Sequence, residues 1–344
     1  RSAKYQRGSN SEVILNLPGD TVEGHLYTLR TVMDAGISRI RLYPLVLLPG
    51  TEAESPADRK KFQIKSRFRI FPRTYGMYEF GGEEFSSAEV SELVIETSSM
   101  TFDDYVYCRL FDLSVELFYN DGYFLEIQGL LSFLKISMFE FVKVCHDLMS
   151  EYPADLKRIY EGLADSILKY TWETEEEIHD FINDIASIQK YAEIEHENSL
   201  ATDRAIGVFS CAETLHVIAR RALKNLLQMQ EINDKELLQY VDEMLMFSLS
   251  RKDSLLDTSI VKLEKFNYDF PALHKEKFSI DPLSHKLAKP QQLCFRHKSD
   301  IAKEMTRLYR AKKDPIHGMR NILYYSIAAN PADYYYRSFQ EVSE

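Results

Sequence analysis

Two Glu-x-x-His pairs have the spacing of a possible metal site. Glu193 precedes His196, and Glu213 precedes His216, by three positions. On a helix this spacing places both side chains on one face. Di-iron carboxylate bundles use two such pairs on separate helices, together with two further glutamates. Candidates for those further ligands are Glu173, Glu177 and Glu243. The segment EIEHEN, around His196, is strongly polar, whereas di-iron ligands point into a bundle core. A di-iron helical bundle is therefore only the third hypothesis.

A basic and aromatic segment is the second group of residues that could do chemistry. It contains Arg59, Lys60, Lys61, Arg67, Arg69, Arg73, Tyr75 and Tyr78. A guanidinium group can form two parallel hydrogen bonds with a carboxylate or phosphate. The segment as a whole could therefore bind an acidic substrate or the phosphate or carboxylate of a cofactor. For any single residue we favour a solvated position or an ion pair with the acidic helical region.

The composition excludes several classes of function. The chain has 344 residues and a net charge of −11, which argues against non-specific binding to nucleic acid or to an anionic membrane. No apolar run reaches the roughly 20 residues of a membrane span. The first ten residues, RSAKYQRGSN, lack the apolar core of a signal peptide. The sequence therefore predicts a cytoplasmic protein.

The four cysteines show no metal-binding or disulfide pattern. Cys108, Cys145, Cys211 and Cys294 are far apart in sequence, and each lies within or beside a hydrophobic stretch. Closely spaced pairs such as C-x-x-C, which hold zinc or carry out redox chemistry, are absent. We therefore expect reduced thiols packed in the core.

The beginning of the chain has the pattern of a β-α-β unit. Residues 12–17, EVILNL, are predicted as a buried parallel strand, followed by a helix to about Ala35 that Gly36 ends. A second strand is predicted in SRIRLYPLVLL, residues 38–48. A two-stranded parallel sheet cannot bury both of its faces with one helix. Further strands are therefore expected, from missing N-terminal sequence or from another chain.

The sequence divides into three predicted regions: residues 1–55, a connecting segment of residues 56–85, and a mainly helical domain of residues 86–344. The connecting segment is expected to be irregular, although KSRFRIFPR could form a short strand. Helical periodicity dominates from about Ser86. Thr101 and Asp104 have the spacing of a helix start, and DIAKEMTRLYRAK is predicted as the last long helix.

Two motifs at the start of the chain resemble a known family. LNLPGDT and YPLVLLPGT, joined by a helix, resemble the fifth and sixth strands of the barrel of radical S-adenosylmethionine enzymes, and most of all the cobalamin-binding branch. Members of that branch commonly show I-x-G-L-P-G-E-T and then Y-x-L-x-x-L-P-G-T. The block from RFRIFPRTYGMYEF to YCRLFDL also resembles the segment that follows their barrel. The resemblance covers about the first 115 residues.

The resemblance implies a fold and a set of cofactor contacts. The fold is the C-terminal fragment of a partial TIM-type (β/α) barrel, with its last two parallel strands, followed by a large mainly helical domain. The strand ends would pack on the adenosine of S-adenosylmethionine or offer backbone groups to its adenine; these residues are Ile14, Leu15, Asn16 and Leu17 on the fifth strand and Leu45, Val46 and Leu47 on the sixth. Asn16 stands where the family usually has Gly, and Asp20 replaces the more usual Glu.

The resemblance also implies an activity that this chain cannot perform alone. The C-x-x-x-C-x-x-C motif that holds the family's [4Fe–4S] cluster is absent here and would lie earlier, as would a cobalamin domain. The complete protein would cleave S-adenosylmethionine to a 5′-deoxyadenosyl radical and act on a small-molecule, lipid or sugar-type substrate. Its missing N-terminal half would be the partner of this chain. The second hypothesis is a helical interaction module whose β-α-β start docks on another protein.

Overall fold

The first two strands form a small parallel sheet and are connected by one helix. The computed structural model describes residues 9–193, 199–329 and 334–342, with the backbone alone for residues 73, 193, 199 and 326–329. Strand β1 (Asn10–Leu15) pairs in parallel with β2 (Arg39–Pro44), and helix α1 (Val22–Asp34) connects them. Thr21 caps α1, because its hydroxyl oxygen accepts from the Gly24 N–H at 3.1 Å. The predicted β-α-β unit is confirmed.

The second predicted strand is in fact divided between two sheets. It leaves the parallel sheet at Pro44, and Val46–Leu47 form β3, which pairs with β5 (Glu83–Glu96) in an antiparallel sheet. Residues 52–82 were expected to be largely irregular, and this prediction is wrong. They contain α2 (Pro56–Phe62), which starts with a Ser55 cap and a proline in the first turn, and the long strand β4 (Lys65–Phe80).

A long hairpin extends from this second sheet. β4 pairs with β5 (Glu83–Glu96) through a two-residue turn, Gly81-Gly82. Both glycines have positive φ angles, 65° and 82°, as a primed hairpin turn requires. The expectation of helix from Ser86 onward is wrong up to Glu96, because these residues pair with β4. The predicted division at residue 85 falls within this hairpin.

The rest of the chain is mainly helical. The helices are α3 (Phe102–Phe118), α4 (Leu125–Phe133), α5 (Met138–Asp147), α6 (Ala154–Lys169), α7 (Glu175–Asn183), α8 (Ile185–Glu193), α9 (Ser199–Ser210), α10 (Ala212–Met229), α11 (Lys235–Lys252), α12 (Phe270–Lys275), α13 (Ser299–Arg310) and α14 (Pro315–Ala329). Helix α3 is central, since it packs against α5, α6 and α9 and also contacts α1. It starts with the predicted capping box between Thr101 and Asp104. The last long helix is α14 rather than α13.

A third sheet lies within the helical region and was not predicted. It contains β6 (Lys262–Tyr268), β7 (Lys286–Arg296) and β8 (Ser338–Glu341), all antiparallel. Its inner face packs on α11 through an aromatic cluster of Phe247, Phe266, Phe295 and Phe339. The described chain is therefore mixed α/β and mainly helical, and none of its three sheets closes into a barrel.

The cysteines and helix lengths agree with a reduced globular chain. All four cysteines are free thiols; three are buried and Cys294 is half-buried. Burial raises the pKa of the Cys108 thiol well above its ordinary value, as expected for an inert core residue. In the described ranges every helix is too short or too polar to span a bilayer.

Candidate functional site

The parallel sheet has one buried and one open face. Side chains alternate between the two faces of a strand, so Val13 and Leu42 point into the hydrophobic core beside α1. On the opposite face, Ile14 lies opposite Tyr43, and their side chains are 44% and 40% exposed. Parallel sheets are ordinarily covered on both faces. The open face is therefore unusual for a finished α/β domain.

The outer edge of β2 is closed by a side chain. Asn120 Oδ1 accepts from the Ile40 N–H at 2.9 Å, and Asn120 Nδ2 donates to the Ile40 carbonyl at 2.9 Å. The amide of Asn120 thus replaces a neighbouring strand for one residue. Arg204 holds the turn of residues 120–122 in place, because its guanidinium contacts Glu116 at 3.0 Å and Asp121 at 2.7 Å.

The outer edge of β1 is open. The carbonyls of Ser9 and Leu15 accept hydrogen bonds from the β2 side, so the alternate residues Asn10, Glu12 and Ile14 present their backbone N–H and C=O groups to the outer edge. No other strand pairs with this edge in the part of the chain that the structure describes. An unpaired strand edge is a ready-made site for pairing with another segment.

The NLPGD turn after β1, residues 16–20, contains two residues in left-handed conformation. Asn16 has φ = 71° and Gly19 has φ = 87°. Asn is one of the few non-glycine residues that adopt this conformation readily, which explains how Asn16 can occupy a position where the resembling family has Gly. Its side chain points inward, and its Oδ1 accepts from the Thr97 hydroxyl at 3.2 Å. Asn16 Nδ2 is buried and has no hydrogen-bond partner among the described residues.

A depression of about 540 Å³ lies at this end of β1. Its lining residues come from β1, the turn and the start of α1, namely Glu12, Val13, Ile14, Leu17, Pro18, Gly19, Asp20, His25 and Thr28. Of the four residues predicted to contact adenosine from β1, Ile14 and Leu17 line this depression. Leu15 and Asn16 are fully buried beneath it. The volume lies in the range of small-molecule sites.

Of the three residues predicted on the second strand, Val46 and Leu47 lie in the other sheet and Leu45 connects the two sheets. Leu45 and Leu47 pack with Val94 in a small hydrophobic cluster. The Leu45 N–H donates to the Leu15 carbonyl at 3.1 Å, and the Leu45 carbonyl accepts from the Val94 N–H at 3.0 Å. Val46 and Leu47 pair with β5. Leu45 therefore has both backbone groups engaged within the protein.

A buried His–Asp pair forms part of the wall of the depression. His25 Nε2 lies 2.9 Å from Asp112 Oδ1, and Arg109 Nη1 donates to Asp112 Oδ2 at 3.2 Å. All three side chains are buried. Burial by itself would lower the pKa of His25, but the charge and hydrogen bond of Asp112 raise it above 6.5, with a further contribution from Asp20. His25 Nδ1 has no hydrogen-bond partner among the described residues.

This pair belongs to a polar stripe on α3 that the sequence analysis missed. The stripe contains Tyr105, Arg109, Asp112 and Glu116, spaced i, i+4, i+7 and i+11 and all buried. Buried charges are costly unless they are paired; here His25 from α1 and Arg204 from α9 supply partners. The signal was available, since three charged residues at helical spacing interrupt the otherwise apolar stretch YVYCRLFDLSVELF.

The arginines of the basic segment are mostly paired with acidic residues. Arg59 makes two hydrogen bonds of 2.6 Å to the carboxylate of Glu92, and Arg67 lies 2.9 Å from Glu173. Arg69 donates to the Ser91 hydroxyl at 3.3 Å, and burial lowers its pKa. The side chain of Arg73 lies outside the described part of the structure. These pairings favour the structural interpretation of the individual arginines.

The two aromatic residues of the segment point in different directions. Tyr75 packs edge to face on Tyr191, with ring centroids 5.5 Å apart. Tyr78 is exposed near the hairpin tip and stacks on Phe85 at the same distance. The structure therefore does not bring Tyr75 and Tyr78 together at one opening.

The Glu-x-x-His residues do not form a metal site in the described chain. The side chain of Glu193, and all of His196, lie outside the described residues. His216 is buried; its Nδ1 donates to the Ala212 carbonyl at 2.7 Å and its Nε2 lies 3.1 Å from the Ser248 hydroxyl. Glu213 is exposed, so it does not point into the core with His216. Across the described ranges, no three His, Cys, Asp or Glu side chains are grouped as a metal site requires.

The further glutamates of that hypothesis have other partners. Glu243 accepts from the backbone N–H and the side-chain amide of Asn267, both at 2.7 Å. Glu177 closes the capping box of α7, and Glu173 pairs with Arg67.

In comparisons with known proteins, the sequence matches no protein-family model and no curated protein. The depression beside β1 is therefore the candidate site, on the basis of its residues and geometry.

Proposed function

We propose that this chain is the C-terminal part of a radical S-adenosylmethionine enzyme of the cobalamin-binding type. In this proposal β1 and β2 are the last two strands of a partial (β/α) barrel, and the helical region covers its substrate side. One observation carries the proposal: the parallel sheet of β1, which the LPGDT motif follows, and β2 has an open face, an open edge at β1 and a depression where β1 ends.

The open face corresponds to the interior of a barrel. The helix-facing side of β1 and β2 is buried, whereas Ile14 and Tyr43 on the other side are exposed. The open edge of β1 is where the preceding barrel strand would pair. Ligands of parallel α/β folds bind beyond the carboxyl ends of the strands. The depression lies at that end of β1.

The residues around the depression suit part of an adenosyl ligand. Ile14, Leu17 and Pro18 provide an apolar wall, and the turn at Gly19 has no side chain to obstruct a close approach. When bound, S-adenosylmethionine and a [4Fe–4S] cluster supply the radical chemistry, and cobalamin would be the further cofactor of this branch. The cluster ligands would come from the remainder of the protein.

The contribution of this chain would be binding and the exclusion of water. Ile14 and Leu17 would pack on the ligand, and closure of the barrel onto the open face would remove it from solvent. With neither cluster ligands nor the first barrel strands, this chain alone should be inactive. Its immediate partner would be the N-terminal portion of the same protein.

The test uses the complete protein encoded by the reading frame, purified without oxygen. We expect about four irons and four sulfides per chain, and formation of 5′-deoxyadenosine after addition of S-adenosylmethionine and a reductant. Bound cobalt would assign the cobalamin branch. The control is the same protein with its three cluster cysteines replaced by alanine, which should form no 5′-deoxyadenosine. A complete protein without iron and without an upstream cysteine triad would contradict the proposal.

The same open edge supports a second candidate, a helical interaction module. Here β1 would accept a strand from a different protein, as in strand-addition complexes. The complete reading frame distinguishes the two candidates. An upstream C-x-x-x-C-x-x-C motif followed by parallel strand patterns favours the enzyme, whereas their absence favours the interaction module.

A further inference from the structure

His25 and His297 are buried histidines whose Nδ1 atoms have no hydrogen-bond partner among the described residues, and of the two only His25 lines the depression. His216 satisfies both nitrogens inside the core, and burial lowers its pKa to about 3, which makes it a neutral structural residue. His25 is equally buried, yet only Nε2 has a partner, Asp112. An unpaired buried nitrogen costs free energy. Because His25 lines the depression, a ligand there could satisfy it.

Asp112 determines which chemistry Nδ1 can perform. Arg109 occupies the second oxygen of the Asp112 carboxylate, which fixes its orientation. The first oxygen accepts a hydrogen bond from Nε2, so the neutral ring carries its proton on Nε2 and has a lone pair on Nδ1. Nδ1 can then accept a hydrogen bond, and it loses this capacity when the ring gains a second proton.

We propose that His25 Nδ1 accepts a hydrogen bond from an N–H group of a small-molecule ligand bound in the depression, with Asp112 and Arg109 as positioning residues. The identity of this ligand rests on the proposed function. The ligand is an adenosyl compound, whose adenine amine and α-amino group are both N–H donors. The apolar wall of Ile14 and Leu17 would contact its uncharged surface. The ligand binds the neutral form of His25 in this proposal.

The charged groups that face His25 determine its response to pH. They are Asp112 and Arg109 on α3 and Asp20 in the turn before α1. The two carboxylates favour the imidazolium, and Arg109 and burial oppose it. Since the carboxylates prevail, the pKa of free His25 is raised above its ordinary value of 6.5.

The test measures the dissociation constant of S-adenosylhomocysteine for the complete protein between about pH 5.5 and 8.5. In the wild type we expect affinity to fall by about tenfold per pH unit below the pKa of His25, because one proton must be removed for binding. His25→Gln should have a flat profile. Asp112→Asn should move the wild-type midpoint to lower pH. The matched control is His179→Gln, which removes an exposed imidazole and should keep the wild-type profile.

A measurement on the unaltered protein complements these variants. The His25 ring signals, followed by NMR titration, should show a lower pKa with S-adenosylhomocysteine bound than without it. Binding that does not depend on pH, or a His25 pKa that the ligand leaves unchanged, would overturn this inference and leave the proposed function intact. A protein that neither binds S-adenosylhomocysteine at any pH nor contains iron would overturn both.

Discussion

The two outer edges of the parallel sheet are completed in different ways. At β2, the Asn120 amide pairs with both backbone groups of Ile40, and Arg204 fixes the surrounding acidic turn. At β1, no described segment pairs with the outer backbone groups, and Ile14 is exposed. One edge is thus closed by polar residues that are expensive to bury, while the other is left open in the described part of the chain.

The difference indicates which side of the sheet needs a partner. A side chain such as Asn120, which closes an edge from 80 residues away in the sequence, is useful only if nothing else pairs there. At β1 a comparable blocking residue is absent from the described chain; the edge carries no proline or lysine, the residues that often protect exposed strands. We infer that β1 is the side where the sheet continues.

The largest test of the closed edge is Arg204→Met. Arg204 is fully buried between Glu116 and Asp121; its loss would leave the buried Glu116 without its ion-pair partner and Asp121 with Arg39 alone, at 2.8 Å. We expect the free energy of unfolding to fall by about 3–5 kcal/mol, measured by urea denaturation. The control is Arg220→Met, an exposed arginine, with a change within about 0.5 kcal/mol. Equal effects of the two substitutions would show that the buried network does not hold this edge.

Asn120→Ala tests the side-chain pairing itself. The substitution leaves the buried N–H and C=O of Ile40 without partners, so we expect a loss of about 2–4 kcal/mol. Asn10→Ala on the open edge is the matched control, and it should change the unfolding free energy by less than about 0.5 kcal/mol. If both substitutions destabilise the protein alike, the two edges do not differ as described.

The sequence predicted the first unit well because its signals are local. The apolar runs, the Thr21 cap and the Gly36 stop specify strand, helix and strand in order. The sequence-based prediction failed at β5. Its segment SSAEVSELVIE mixes polar, small and apolar residues on a strand that is about half exposed, so its hydrophobic periodicity is weak. The role of Pro44 as the end of a strand, rather than its middle, depends on a change of sheet partner that no local pattern shows.

The candidate site was only partly predictable for the same reason. Ile14 and Leu17 follow from the LPGDT motif and do line the depression. His25 and Asp112 are 87 residues apart in sequence, and their contact depends on how α1 packs on α3. The charged residues of α3 could have been noticed as a stripe at helical spacing. Their partners on α1 and α9 could not, because pairing across a core is set by tertiary packing.

Amide hydrogen exchange compares the two edges without a substitution. The Ile40 amide should be protected, since Asn120 holds it in the core, whereas the Glu12 and Ile14 amides should exchange at least about a hundredfold faster in this chain. In the complete protein both β1 amides should become protected. Strong protection of Ile14 in this chain by itself would show that its edge is already covered.

The smallest expected effect concerns the pH dependence of stability at the buried pair. Because the folded pKa of His25 is raised above 6.5, protonated His25 binds Asp112 more favourably in the folded state than in the unfolded state. This contribution is fully present below the unfolded pKa of about 6.5 and is lost as the pH rises through the folded value. The free-energy advantage of the wild type over His25→Gln should therefore decrease as the pH rises above about 6.5, and His179→Gln should show no such trend. An advantage that grows with pH would mean that the folded pKa of His25 lies below its unfolded value, so that the cost of burying the charged ring would exceed its attraction to Asp112.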